Sequence, residues 1–326
     1  MNINNRVYLI WVVLPIAPLI VAFTVLGLLD PGEMTLLTSA IATEAFHDDA
    51  LAIRFHNQLL VYGAVAVFHV AACLAIIISM MLKIRQKPLA ERRQAVWVLG
   101  ISIALLVAFN LIARQDAFRG ALNLTYREIC AVSRQADIAL HILPPACDAP
   151  GLSIFAWLAV IPYLFGLLAA AFASSLVSTL FVPLPEDPST QEVEAHKKRI
   201  TGIEQAFQSA AFVLVTSTIA MMLFYKLPLS LMADEKAHEI MTGYAQGMTL
   251  FWGMIFTLTL IAIFGPGNLI LSGYLTRDKA VPEDEDRSRG LLAPSTRDQL
   301  SKLLTALVPL LIGAAAPVLE LITGAL

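Results

Sequence analysis

Six apolar stretches with no internal charge set the pattern of this chain, at residues 7–29, 58–82, 95–113, 153–182, 205–225 and 247–275. Each matches or exceeds the roughly 17–25 helical residues that cross a hydrocarbon core of about 30 Å. The pattern predicts an all-α, polytopic helical membrane protein with six transmembrane helices. These spans and their connections form one membrane domain over residues 1–275, with no room for a separate globular domain.

The connections have patterns of their own. The first, 30–57, mixes Leu36, Leu37, Ile41, Phe46 and Leu51 with Glu44, Asp48, Asp49 and Arg54. Such a run over Met34 to Phe55 predicts a helix lying on the membrane surface or against the other outer connection. The connection 114–152 reads as helical from Arg114 to Leu143, where Pro144 and Pro145 stop it. Together the two are expected to form an extracytoplasmic cap. The fourth span carries Pro162 and a run of small residues, Ala169 to Ala171 and Ala173 to Ser175, which suits close helix packing in lipid. Pro183, Pro185 and Pro188 end it, and 186–202 reads as a polar cytoplasmic linker.

The sixth stretch would measure about 44 Å as one straight helix. Gly265, Pro266 and Gly267, followed by Asn268, are expected to break or sharply kink it near Phe264. Its end leads into a charged cytoplasmic linker, 276–299, with Glu283 to Asp286 in a row. The last segment, 300–326, is apolar again but contains Pro309, Pro317 and Glu320. Leu300, Leu303, Leu304, Leu307 and Leu311 share a face, so an amphipathic or re-entrant element is expected, with a seventh crossing as the alternative.

Composition agrees with the membrane assignment. The chain is 58% hydrophobic and 14% charged, outside the ordinary range of soluble domains. Its net charge of −3 carries no signal for nucleic acid. The first stretch lacks an A-x-A-like cleavage site and is read as a retained span. Orientation follows from Lys and Arg. A cytoplasmic N-terminus places 15 of the 22 basic residues inside, including Lys83, Arg85, Lys87, Arg92 and Arg93 in one short connection. The expected location is a bacterial inner membrane. Cys130 and Cys147 then share an outer, oxidising connection, where a disulfide worth about 3 kcal/mol is expected.

Candidate chemistry is sparse. His69 lies near the middle of the second span with Cys73 one turn away. An ionisable group at that depth is a functional candidate by default, yet no other span supplies a His or carboxylate at matching depth for a metal or haem. The expectation is a neutral His69 bonded to a neighbouring helix. His47 and His56 are nine residues apart, and His238-Glu239 lacks the second His of an HExxH helix. The remaining polar candidates are Asn110, then Ser174, Ser175, Ser178 and Thr179 in the fourth stretch, and Gln205, Gln208, Ser209, Thr216, Ser217 and Thr218 in the fifth, either as hydrogen-bond partners between helices or as the lining of an uncharged path. No P-loop, GxSxG elbow or intramembrane carboxylate pair is present in the sequence. The expected function is therefore non-enzymatic, without a cofactor. It rests on the lipid bilayer and on a protein partner or homo-oligomer, with the chain as an assembly subunit, sensor or effector. The alternative is an oligomeric pore or transporter component for ions or small solutes.

Overall fold

A computed structural model describes residues 17–28, 49–113, 154–179, 190–231, 235–277, 307–309 and 311. Among these residues all regular structure is helical. The helices are α1 (Ala17–Leu28), α2 (Asp49–Arg85), α3 (Leu89–Ala113), α4 (Ile154–Ser178), α5 (Thr190–Lys226) and α6 (Glu235–Arg277). A short 3-10 helix, Leu227–Leu231, follows α5. Among the described residues four segments are long and apolar enough to cross a membrane: Ile53–Arg85, Ile161–Ser178, Thr201–Ser230 and His238–Gly265. The protein is a helical integral membrane protein.

Packing follows from which residues each helix turns inward. In α2 the buried positions are Phe55, Tyr62, Ala66, His69, Cys73, Ile77, Met80 and Ile84, a single stripe that recurs every third or fourth residue after Tyr62. The opposite face exposes Leu60, Val67, Phe68, Leu74 and Ile78. In water that face would be an error; against acyl chains it is the natural outer surface. The inward stripe also carries the polar groups Tyr62, His69 and Cys73, since helices in lipid associate through close packing and hydrogen bonds rather than through hydrophobic burial.

The small-residue run in α4 meets the same requirement. Ala169, Ala171, Ala173, Ser174 and Ser175 are all buried, and α4 packs against α2, α3, α5 and α6. Helix α5 also packs against α2 and, most extensively, against α6; α1 rests on α6. The site therefore sits where α2, α4 and α5 converge. Pro88 ends the turn between α2 and α3, since the residue before a proline is pushed out of the helical region. The Gln86 and Lys87 amides close that turn onto the Leu82 and Ile84 carbonyls. The Gln94 amide group then donates to the Ser178 carbonyl at 2.7 Å, tying α3 to the last turn of α4.

Two expectations about element limits are corrected. Helix α6 runs without interruption through Gly265, Pro266 and Gly267 to Arg277, so no turn follows Phe264. Proline removes one backbone donor, but leaving the helix in an apolar medium would orphan several more backbone groups. The linker 186–202 is helical from Thr190 onward, as the lower part of α5. Of the helix expected over Met34 to Phe55, residues 49–55 are helical as the start of α2. Residues 30–48 and 114–153 lie outside the described residues. So do Cys130, Cys147 and nearly all of 278–326.

Candidate functional site

His69 stands at the midpoint of the span Ile53–Arg85 and is wholly buried, at 0% exposure. The α2 stripe points it at two helices. From α5, at the middle of the span Thr201–Ser230, come Thr216 and Ser217, and from α4 comes the carbonyl of Pro162. His69 Nδ1 lies 2.7 Å from Thr216 Oγ1. Nε2 lies 3.2 Å from the Pro162 carbonyl oxygen and 3.3 Å from Ser217 Oγ. Cys73 Sγ is 3.5 Å from Nε2, one turn along the same helix.

Gly166 makes this approach possible. It lies one turn after Pro162 in α4. A Cβ there would fall 3.2 Å from Ser217 Oγ and 3.5 Å from His69 Nε2. The missing side chain lets the imidazole edge reach the backbone of α4.

Both neutral tautomers of His69 find partners. In one, the Thr216 hydroxyl donates to its own Val213 carbonyl at 2.9 Å and accepts the Nδ1 hydrogen, while Ser217 donates to Nε2. In the other, Nε2 donates to the Pro162 carbonyl and the Thr216 hydroxyl turns to Nδ1. Either way the ring ties α2 to α5 at half-height, and in the second tautomer it reaches α4 as well. A buried polar group that lost such partners would cost about 1–3 kcal/mol.

The other polar candidates are arranged differently. Gln205 Oε1 accepts a hydrogen bond from Lys83 Nζ at 2.7 Å near the α2–α3 end of the bundle. Gln208 is exposed on the outer surface of α5, so it does not share an internal path with Thr216. The backbone of Asn110 belongs to α3, and its side chain lies outside the described residues. Ser175, Ser178 and Thr179 donate to carbonyls of their own helix, as does Thr218 in α5. These hydroxyls satisfy themselves locally and do not line a path.

Toward the other end of the bundle, aromatic rings fill the space between α2, α5 and α6. Trp252 Nε1 donates to Tyr225 Oη at 3.0 Å, and both side chains are wholly buried. Tyr225 also meets Phe224 and Tyr244 edge-on, and Tyr62 meets Phe224. Among the described residues no three His, Cys, Asp or Glu side chains come together.

No family model, curated protein or solved structure matches this chain.

His69 and Thr216 were each visible in the sequence as polar groups inside apolar runs. Their pairing was not, since nothing in either run specifies a partner helix. Pro162 contributes only its carbonyl, which no side-chain pattern reveals. Ser217, like Thr216, was visible as a polar group of the fifth stretch, whereas Gly166 was missed as part of the site. The usable signal for Gly166 was a glycine one turn beyond a proline and just before the small-residue run.

Proposed function

We propose that this protein is a non-enzymatic membrane component that acts through protein contacts, as an assembly subunit, sensor or effector anchor of a larger complex. The observation that carries this reading is Gln208, whose amide side chain is exposed on the exterior of a span. It precedes Thr216 by eight residues, or about 12 Å along the helix. Measured from the His69 level, that falls inside a hydrocarbon half-thickness of about 15 Å. An amide facing acyl chains is costly, and a polar group on a neighbouring helix relieves the cost. His69, Thr216, Ser175, Ser178 and Thr218 inside the bundle, by contrast, are committed to helix-to-helix or local bonds, which suits a scaffold.

The reading carries a finer topology: six spans with the N-terminus inside a bacterial inner membrane. Cys130 and Cys147 are bridged in an outer cap, and residues 300–326 lie at the inner face. Lys83, Arg85, Lys87, Arg92 and Arg93 support this orientation.

The test is purification in mild detergent, with mass determination and identification of whatever co-purifies. A stoichiometric second protein, lost in Gln208→Leu while the monomer stays folded, supports the proposal. A second reading, an oligomeric pore, draws on the outward amides of Gln205 and Gln208, less than one turn apart. A symmetric homo-oligomer that conducts in vesicles, and stops conducting in Gln208→Leu, would replace the first reading with the second.

A further inference from the structure

The outward face of α3 differs from the rest of the bundle's surface. Arg92, Val96, Gly100, Ala104 and Ala108 follow one another at four-residue steps, so they lie in one row along the helix. The adjacent row carries Arg93, Trp97 and Leu105. The first row is low from Gly100 onward, where its members are small; the second is high. Between them runs an open groove of about 1040 Å³ lined by both rows. Nothing lies within 4 Å of where a Cβ on Gly100 would stand.

Charge is concentrated at one end of this groove. Arg92 and Arg93 are exposed, and Trp97 beside them is 64% exposed. Two other basic groups of the same turn are already engaged: Lys87 with Glu91 at 3.2 Å, and Lys83 with Gln205 at 2.7 Å. From Arg92 to Gly100 is about 12 Å along the helix and to Ala104 about 18 Å, against a leaflet half-thickness of about 15 Å. The order from the turn inward is thus two guanidinium groups, an indole at the depth where tryptophans collect, and then an apolar channel.

We propose that this groove is a binding site for an anionic phospholipid of the leaflet facing the α2–α3 turn. Its phosphate sits between Arg92 and Arg93, its glycerol region against Trp97, and one acyl chain in the channel over Gly100 and Ala104. Arginine suits phosphate because its planar fork donates two parallel hydrogen bonds. Basic pockets at the membrane face select anionic headgroups by the same charge complementarity.

The test uses the full chain in nanodiscs of phosphatidylcholine with added phosphatidylglycerol, and reads quenching of tryptophan fluorescence by bromine-labelled acyl chains. The Trp97 signal is taken as the difference from Trp97→Phe. Brominated phosphatidylglycerol is expected to quench Trp97 at much lower mole fraction than brominated phosphatidylcholine. Arg92→Gln combined with Arg93→Gln should weaken that preference by about 30-fold, taking about 1 kcal/mol per basic side chain. Arg85→Gln removes an exposed charge from the same end but outside the groove, and should change it less than twofold. Gly100→Leu fills open space, so the fold persists while quenching by both lipids falls.

Equal loss in Arg85→Gln would mean diffuse attraction to the surface and would overturn the site. So would an unchanged preference in the double variant. Cross-linking from Ala104→Cys to a second copy or another protein, with no lipid preference, would assign the groove to a helix instead.

Discussion

His69 Nδ1 lies 2.7 Å from Thr216 Oγ1 across 147 residues of sequence, the shortest of the contacts around that ring. The pair joins α2 to α5 at half-height, and α4 reaches the same ring through the Pro162 carbonyl. Removing the hydroxyl while keeping its shape isolates what the contact contributes. Thr216→Val is expected to cost about 1–2 kcal/mol, the upper part of the range for hydrogen bonds between membrane helices. Ser217→Ala, which loses only a 3.3 Å contact, should cost less than half as much. Thermal unfolding in detergent reads the difference, and equal costs would mean that the Thr216 contact does not lead.

Gly166 gives a prediction in which the sign decides. In an ordinary helix interior, Gly→Ala stabilises by about 0.5–1 kcal/mol. Gly63, in α2, has nothing within 4 Å of a new Cβ, so Gly63→Ala should raise the melting temperature. At Gly166 the new methyl meets Ser217 Oγ at 3.2 Å. The hydroxyl can rotate away only by giving up its bond to His69, so Gly166→Ala should lower the melting temperature. Two shifts of the same sign would contradict the close approach of α4 to the ring.

How much of this was legible beforehand depends on the solvent in which the pattern was written. The spans were legible because long apolar runs have few other uses. Which face of α2 turns inward was not, since Leu60 and Val67 on the outside are as apolar as Ile77 and Met80 on the inside. Hydrophobic periodicity reports burial against water, and lipid erases it. The polar residues kept the information: His69 and Cys73 both lie on the inward stripe. Element ends were misread where bilayer thickness served as the ruler. Thr190 to Arg199 and Pro266 to Arg277 are helical because backbone bonding continues, whatever the side chains prefer.

The Trp252–Tyr225 hydrogen bond offers a spectroscopic prediction. Both side chains are wholly buried, and the indole donates to the phenol oxygen at 3.0 Å. Tyr225→Phe keeps the ring contacts with Phe224 and Tyr244 but leaves the indole N–H without that acceptor. The expected result is a loss of about 1–3 kcal/mol together with a blue shift of the Trp252 contribution to fluorescence. Tyr244→Phe, which removes a hydroxyl but not this acceptor, should leave the emission maximum in place. A shift in Tyr244→Phe equal to that in Tyr225→Phe would show that the indole senses general polarity and not a bond.

The arrangement of helix ends makes a topological prediction that does not depend on function. Arg85 closes α2 beside the α2–α3 turn, and Lys236 opens α6; both are exposed. Lys83 meets Gln205 in the lower half of α5, whereas α6 begins a few residues after α5 and its 3-10 turn have ended at Leu231. Arg85 and Lys236 therefore occupy opposite ends of the bundle. In a background with Cys130 and Cys147 replaced by serine, Arg85→Cys and Lys236→Cys should react with a membrane-impermeant maleimide from opposite sides. Cys73 stays silent because it is buried. The positive-inside rule assigns the sides: Lys236→Cys labels in intact cells, and Arg85→Cys labels only after permeabilisation. The reverse pattern would invert the protein but preserve the bundle. Labelling of both from one side would contradict the antiparallel packing of α2 and α5.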